Sequence, residues 1–283
     1  MSTSSEDTPG ERPPEILYHY TTQSGLLGII KSKEIWATHF RHLNDTQEFE
    51  LARRLFDSRL QDSKHQLADK LRNALKNVGH LENHQFLASF SEAPDSLPQW
   101  RAYAHSEPGY ALGFDGASIQ LPENFEMVKC LYELEEQIQA IDTLIAQILG
   151  DLEKEASSEV VTKATALYRL NEVALTIKDR HFKEEKEWRI VSHHLPDEPR
   201  FKDGDPKSNC PESPLAFRQG KSGIIPYRGI SLKDSNGEFP LKQIVVGPNA
   251  DLKRSVRSVR SLLENQGLDG VKVIPSGIPY RNW

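Results

Sequence analysis

The hydrophobic period of this chain changes near its middle, and that change constrains the fold class more than any other sequence feature. From residue 133 to about 178, apolar side chains such as Ile138 and Ile141 recur every three or four positions, which predicts amphipathic helices. Gly150 marks the expected bend of a helical hairpin. The segments on either side are short and rich in β-branched and aromatic residues, as strands are. A helical hairpin inserted between strands predicts an α+β fold.

Strand-like segments precede and follow this insertion. They cover Ile16 to Thr21, Ile35 to Phe40, Gln85 to Ser91, Tyr110 to Asp115, Phe125 to Tyr132, Glu187 to Ser192, Leu241 to Val246 and Val271 to Ile274. A capping box at Asp45 to Glu48 predicts the start of a long helix that runs to about Val78. No proline- or glycine-rich linker bounds the insertion, so residues 16–283 are expected to form one domain in which 133–181 is a helical insertion.

Composition limits where the chain works and what it binds. Residues 1–15 have almost no apolar side chains, so we expect a disordered tail. The net charge of −6 argues against a protein that coats nucleic acid or lipid by bulk electrostatics. Cys130 and Cys210 have no metal or disulfide spacing, and no apolar run is long enough to span a bilayer. These features predict a cytoplasmic protein with no membrane partner.

The stretch from Tyr18 to Thr21, followed by an apolar helix, is the segment most suggestive of chemistry. Residues two apart on a strand point to the same side, so His19 and Thr21 are expected to face one site while Tyr20 faces away. Such a strand-to-helix corner can hold the edge of a ligand. The alternative is that His19 is a hydrogen-bonded core histidine and Thr21 caps the helix.

Several motifs together resemble a bacterial family, domain of unknown function twenty-nine seventy-one. They are Tyr18 to Ala37, Leu43-Asn44-Asp45, Ser89 to Glu92, Gln99-Trp100-Arg101, Glu187-Trp188-Arg189, Gly247-Pro248 and Pro279-Tyr280-Arg281. The Tyr18 to Thr21 motif is also distantly similar to the first motif of His-type ADP-ribosyltransferases. This second resemblance implies two packed antiparallel sheets, that is, a split antiparallel β-sheet core with peripheral helices. It also implies NAD as substrate, no metal, and a protein or nucleic-acid acceptor.

The same resemblance assigns roles to individual residues. His19 and Glu187 are the implied catalytic residues, with Glu185 orienting the acceptor in a Glu-x-Glu arrangement. Residues implied to bind NAD are His19, Tyr20, Thr21, Ser89, Phe90, Ser91, Arg101 and Tyr110. A carboxylate beneath the ribose would stabilise the positive charge that develops as the nicotinamide bond breaks. The alternatives are a surface ion pair between Glu187 and Arg189, and a structural hydrogen-bonding role for Arg101.

Three functions follow as hypotheses. The first is an NAD-dependent ADP-ribosyltransferase or NAD glycohydrolase, for which a role in bacterial defence or toxicity would fit the resemblance. The second is a module of the same fold that binds a nucleotide without turnover. The third is a metal-dependent nuclease or phosphoryl hydrolase that uses Asp45, Glu48 and the nearby histidines.

A separate feature is a basic face on the helix from Leu252 to Glu264. Lys253, Arg254, Arg257 and Arg260 form it. The face is either a solvated surface or a contact with nucleic acid or with an acidic protein.

Overall fold

A ten-stranded sheet, antiparallel except for one pair, organises the chain. The computed structural model describes residues 12–42, 47–75, 85–103, 108–154, 159–193, 213–220 and 223–279. The strands are β1 (Ile16–Thr22), β2 (Glu34–His39), β3 (Phe86–Ser91), β4 (Gly109–Asp115), β5 (Phe125–Lys129), β6 (Glu187–Ser192), β7 (Leu215–Gln219), β8 (Ile224–Ser231), β9 (Leu241–Val246) and β10 (Lys272–Pro275). The fold is therefore mixed α and β.

Seven α-helices accompany these strands in the described ranges. They are α1 (Gln23–Ser32), α2 (Gln47–Asp62), α3 (Ala68–Leu75), α4 (Leu97–Tyr103), α5 (Leu134–Lys154), α6 (Glu159–Ala174) and α7 (Leu252–Asn265). Two 3₁₀ helices cover Phe40–His42 and Arg180–Glu185. Within the same ranges, no helix combines the length and apolarity needed to cross a membrane.

Strand β3 is the branch point of the sheet. Along one edge it pairs with β6, from Leu87 to Ser91. The opposite edge is shared, because Ser91 pairs with β1 while Phe86 and Leu87 pair with β2. The expectation of two separate packed sheets is wrong, since β3 joins all ten strands into one hydrogen-bonded sheet.

The β1–α1 corner shows how local sequence positions the site. Thr22, rather than Thr21, caps α1, and its hydroxyl accepts a hydrogen bond from Gly25 N at 3.3 Å. Thr21 packs beneath the first turn instead, and a Cβ on Gly25 would lie 1.9 Å from the Thr21 hydroxyl oxygen. This close approach requires glycine at position 25.

Different layers cover the two faces of the sheet. Helices α1 and α7 pack on the face that carries Leu17, Phe90 and Trp188, and together they enclose the main apolar core. On the opposite face, α4 covers Tyr18 and Tyr20 with the fully buried Trp100. A second layer, made of α2, α3, α5 and α6, has its own apolar core.

Several predicted element boundaries need correction. The expected bend at Gly150 lies inside α5, because the apolar spacing continues through Leu152. The long helix expected to reach Val78 is instead two helices, α2 and α3. Strands β7 and β8 and helix α4 were not predicted. The Leu43-Asn44-Asp45 segment, residues 1–11 of the expected tail, Cys210 and the Tyr280-Arg281 pair lie outside the described residues.

Candidate active site

Five charged side chains meet where the helical layer contacts β6. They are Glu48 of α2, Lys178 after α6, Glu185 at the end of the second 3₁₀ helix, and Glu187 and Arg189 of β6. Glu187 and Arg189 share a face because side chains two apart on a strand point the same way. The exposed fraction is 9% or less for four of them, and the side chain of Glu185 is 25% exposed. Glu185 is therefore the member that solvent or a ligand reaches most easily.

Arg189 holds two carboxylates at once. Its Nη1 and Nη2 donate to the two oxygens of Glu48 at 2.8 and 2.7 Å. Its Nε and Nη2 donate to the two oxygens of Glu187 at 3.0 and 3.1 Å. Nη1 also donates to the carbonyl of Leu175 at 2.8 Å, just after α6. The guanidinium group thus ties α2 and the end of α6 to the sheet.

Lys178 bridges Glu185 and Glu187. Its ammonium group donates to Glu185 Oε2 at 2.5 Å and to Glu187 Oε2. It also lies 3.8 Å from Glu48 Oε1. Three carboxylates against two cations leave this cluster with a net negative charge when all five groups are ionised.

Electrostatics keep Glu187 ionised. Burial alone would raise its pKa, but the charges of Arg189 and Lys178 outweigh that effect and lower the pKa to about 2. Burial would likewise lower the pKa of Lys178, yet Glu187 and Glu185 raise it above its ordinary value. For Glu48 burial dominates and raises the pKa in spite of Arg189.

Three aromatic rings, those of Tyr20, Trp100 and Tyr103, lie beside these charges. The Tyr20 ring lies 4.7 Å from that of Trp100 and 6.4 Å from that of Tyr103. Tyr20 is fixed, since its hydroxyl donates to Ala93 O at 2.7 Å and accepts from Ser96 N at 3.1 Å. Tyr103 is 38% exposed, and loss of solvation together with the charges of Glu187 and Glu185 raises the pKa of its hydroxyl to about 12.

Ser91 links the segment that holds the aromatic rings to the segment of Glu185. Its hydroxyl donates to the carbonyl of Glu185 at 2.6 Å and accepts from Ala93 N at 3.1 Å. We call the assembly of Ser91, Tyr103, Lys178, Glu185 and Glu187 the carboxylate corner. It presents one partly exposed carboxylate, one ionised buried carboxylate and one exposed aromatic ring to the same region.

His19 does not lie at the carboxylate corner. Tyr18 pairs with Ser91, and Ser91 pairs with Glu187, so these three side chains share one face of the sheet. His19 points to the other face, where its ring lies 5.5 Å from that of Phe90. The registers therefore separate the imidazole of His19 from the carboxylate of Glu187.

At the branch of the sheet, His19 occupies a defined position. Its Nδ1 lies 2.9 Å from the carbonyl oxygen of Ser89. A carbonyl only accepts, so Nδ1 carries the proton and Nε2 of the neutral ring is left as an acceptor. Burial lowers the pKa of His19, although the bond to Ser89 opposes this effect.

The other predicted site residues divide between the two faces. Thr21 pairs with Tyr110, and Tyr110 and Phe90 are buried in the main core on the His19 side. Ser89 pairs with Arg189 and therefore lies on the face of the carboxylate corner. Arg101 is exposed on α4.

Sequence reasoning missed three residues of this region. Lys178 and Tyr103 were not proposed, and Glu48 was assigned to a helix cap or a metal site. Lys178 carries no local motif, because only the chain reversal after α6 brings it to β6. Both oxygens of Glu48 accept from Arg189, which removes it as a metal ligand in this arrangement. Within the described ranges, no group of three His, Cys, Asp or Glu side chains is placed to hold a metal ion.

Comparison with known proteins finds a family that is similar to part of the chain. No curated protein and no solved structure matches the chain, so the likeness to ADP-ribosyltransferases gains no support from these comparisons. A family model does match residues 99–190, from α4 to β6. This segment contains Tyr103, Lys178, Glu185, Glu187 and Arg189. Over these residues, 99–190, the chain is similar to the family described as "Protein of unknown function (DUF2971)".

Proposed function

We propose that the chain breaks the nicotinamide–ribose bond of NAD at the carboxylate corner, as an NAD glycohydrolase or an ADP-ribosyltransferase. One observation carries this proposal: the partly exposed carboxylate of Glu185 shares Lys178 with the ionised Glu187, beside the exposed ring of Tyr103. Bond cleavage develops positive charge on the ribose, and an excess of fixed negative charge stabilises that transition state more than the ground state. NAD enters through the resemblance of the Ser89 to Ser91 and Glu185-Lys186-Glu187 segments to motifs of ADP-ribosyltransferases, and not through the His19 motif, which lies on the other face of the sheet.

The geometry favours a division of roles between the two glutamates. Glu185 is the carboxylate that a ribose can approach, because both oxygens of Glu187 already accept from Arg189 or Lys178. Glu187 then acts as a positioning residue that keeps Lys178 charged and in place. Tyr103 offers a surface on which a flat ring can stack. His19 takes no part in this proposal, since it lies on the opposite face.

The test is release of nicotinamide from labelled NAD by the purified protein, with and without a cell lysate as a source of acceptor. Glu185→Gln should lower the rate of release about 100-fold or more, the scale expected for loss of a main electrostatic stabiliser. Glu184→Gln is the matched control, because Glu184 is its exposed neighbour and loses the same charge. Equal rates for parent and Glu185→Gln would refute the proposal.

A second candidate is a module that binds NAD or ADP-ribose without turnover. The hydrogen bonds of Glu187 favour this candidate. Both of its carboxylate oxygens already accept from Arg189 or Lys178, so they are poorly placed to stabilise a ribose cation. Calorimetric binding of NAD with no release of nicotinamide, weakened by Tyr103→Ala, would identify this function. Absence of both binding and turnover would exclude both candidates.

A further inference from the structure

Helix α7 carries a row of exposed cations, and Glu264, one turn after Arg260, is an acidic residue on the same side of the helix. Lys253, Arg254, Arg257 and Arg260 are all exposed, and none of them has an ion-pair partner among the residues that the structure describes. By contrast, four arginines on other helices pair with aspartates. They are Arg53, Arg59, Arg72 and Arg169. Four exposed cations without an ion-pair partner in the described ranges therefore lie close together on α7, in a chain whose net charge is −6.

The geometry of the row is regular. Lys253, Arg257 and Arg260 follow one another at intervals of four and three residues, which places them on one side of the helix. With a rise of about 1.5 Å per residue, these charges recur every 4.5 to 6 Å along the axis. The exposed hydroxyls of Ser258 and Ser261 lie beside the row and can donate to anionic oxygens. A partner with regularly repeating negative charge fits this surface.

The apolar residues of α7 discriminate between kinds of partner. Val259 and Leu263 are buried, and Leu252 and Val256 pack against the main core. The apolar face of α7 is therefore covered by its own sheet. Protein–protein interfaces have apolar centres from which charge is depleted. Interfaces with nucleic acids are more polar and far more positive, and most of their hydrogen bonds go to phosphate and sugar. The exposed surface of α7 is polar and positive, as interfaces with nucleic acids are.

We infer that the exposed face of α7 binds the phosphate backbone of a nucleic acid without reading its sequence. This surface lies on the side of the sheet away from the carboxylate corner, because α7 packs on the face of Phe90 and Trp188. Binding can be measured without NAD, so its outcome is independent of whether the chain turns NAD over.

The experiment is fluorescence anisotropy of labelled 20-nucleotide probes, single-stranded and duplex, over a range of salt concentrations. If all four cations contact phosphates, the slope of log affinity against log salt is about −2.8 for single strands and about −3.6 for duplex DNA. Affinity should then fall about 50- to 150-fold between 50 and 200 mM salt. For each form, a slope that reaches its own value indicates that all four cations contact phosphates in that form.

The test variant replaces Lys253, Arg254, Arg257 and Arg260 with Gln, which retains helix propensity. It should bind at least 10-fold more weakly at 50 mM salt, with a slope close to zero. The matched control replaces Lys31, Arg54, Lys70 and Lys154 with Gln. These exposed residues lie on four different helices, and the control should bind like the parent. Circular dichroism checks that both variants fold.

Three results would overturn the inference. The first is no binding of either probe at 50 mM salt. The second is an equal loss of affinity in the test and control variants. The third is competition by polyglutamate as strong as competition by unlabelled nucleic acid, which would assign the surface to an acidic protein instead.

Discussion

Glu187→Gln is the sharpest test of how the buried charges stabilise the fold. The substitution keeps the size of the side chain but places an amide where Arg189 and Lys178 both need an acceptor. The pKa of Glu187 falls from 4.5 to about 2 on folding. At 1.36 kcal/mol per pKa unit, the ionised carboxylate contributes about 3 kcal/mol to the free energy of unfolding at pH 7. Breaking one partner of a buried ion pair typically costs about 3–5 kcal/mol.

The assay is urea unfolding followed by the fluorescence of the buried Trp100 and Trp188, with Glu184→Gln as the control. We expect Glu187→Gln to lose about 3 kcal/mol and the control less than about 0.5 kcal/mol. A loss below about 1 kcal/mol in Glu187→Gln would refute the reasoning, since the cations would then gain nothing from this carboxylate.

The sign of the pH dependence gives an independent check. The pKa of Glu187 is depressed in the folded state, so its stabilising contribution is present above the unfolded value of 4.5 and is lost as pH falls towards about 2. The difference in unfolding free energy between parent and Glu187→Gln should therefore be about 2 kcal/mol smaller at pH 3 than at pH 7. A difference that stays constant or grows on acidification would contradict the assignment.

Three further outcomes are expected. Glu185→Gln should lower kcat for NAD turnover with little change in unfolding free energy, because its side chain is the most exposed of the cluster. A loss of unfolding free energy as large as that of Glu187→Gln would show that Glu185 has a structural role. His19→Ala should cost about 1–3 kcal/mol by leaving the Ser89 carbonyl without its donor, whereas His19→Asn, whose amide can donate in the same place, should cost less; an NMR titration of His19 should have its midpoint below 6.5. Gly25→Ala should cost about 1–3 kcal/mol by overpacking against Thr21, and Thr21→Ala in the same chain should recover most of that loss; additive losses in urea unfolding would contradict the contact.

Much of the strand and helix pattern was predictable because burial imposes a period on the sequence. Glu187–Ser192 and Leu241–Val246 were predicted with their observed bounds, since each contains consecutive β-branched residues, Ile190-Val191 and Ile244-Val245-Val246. Strand β8 was missed because its burial is uneven and Pro226 and Gly229 interrupt its pattern. The break between α2 and α3 was missed because apolar spacing resumes soon after residue 62.

The candidate site was only partly predictable. Strand alternation places Glu187 and Arg189 on one face, and this much follows from sequence. Which face His19 occupies relative to Glu187 depends on the register between β1 and β3, which rests on the single pair Tyr18 and Ser91. No local pattern encodes that pairing, because the two residues are far apart in the chain. Lys178 is only seven and nine residues from Glu185 and Glu187, but the turn between α6 and β6 that brings it to them has no sequence signal that was recognised.

The branching of the sheet at β3 has a consequence for how the molecule opens. Among the strands that the structure describes, β1 and its neighbours β4, β9 and β10 pair with the arm of β2, β8 and β7 only through β3. Outside the strands, a bridge between Gln120 and Lys233 also links the two arms, and both arms contribute to the main apolar core. Neither arm can therefore open without exposing core residues of the other. Amide hydrogen exchange should be slowest in β3 and β6, and the two arms should exchange together rather than as separate cooperative units.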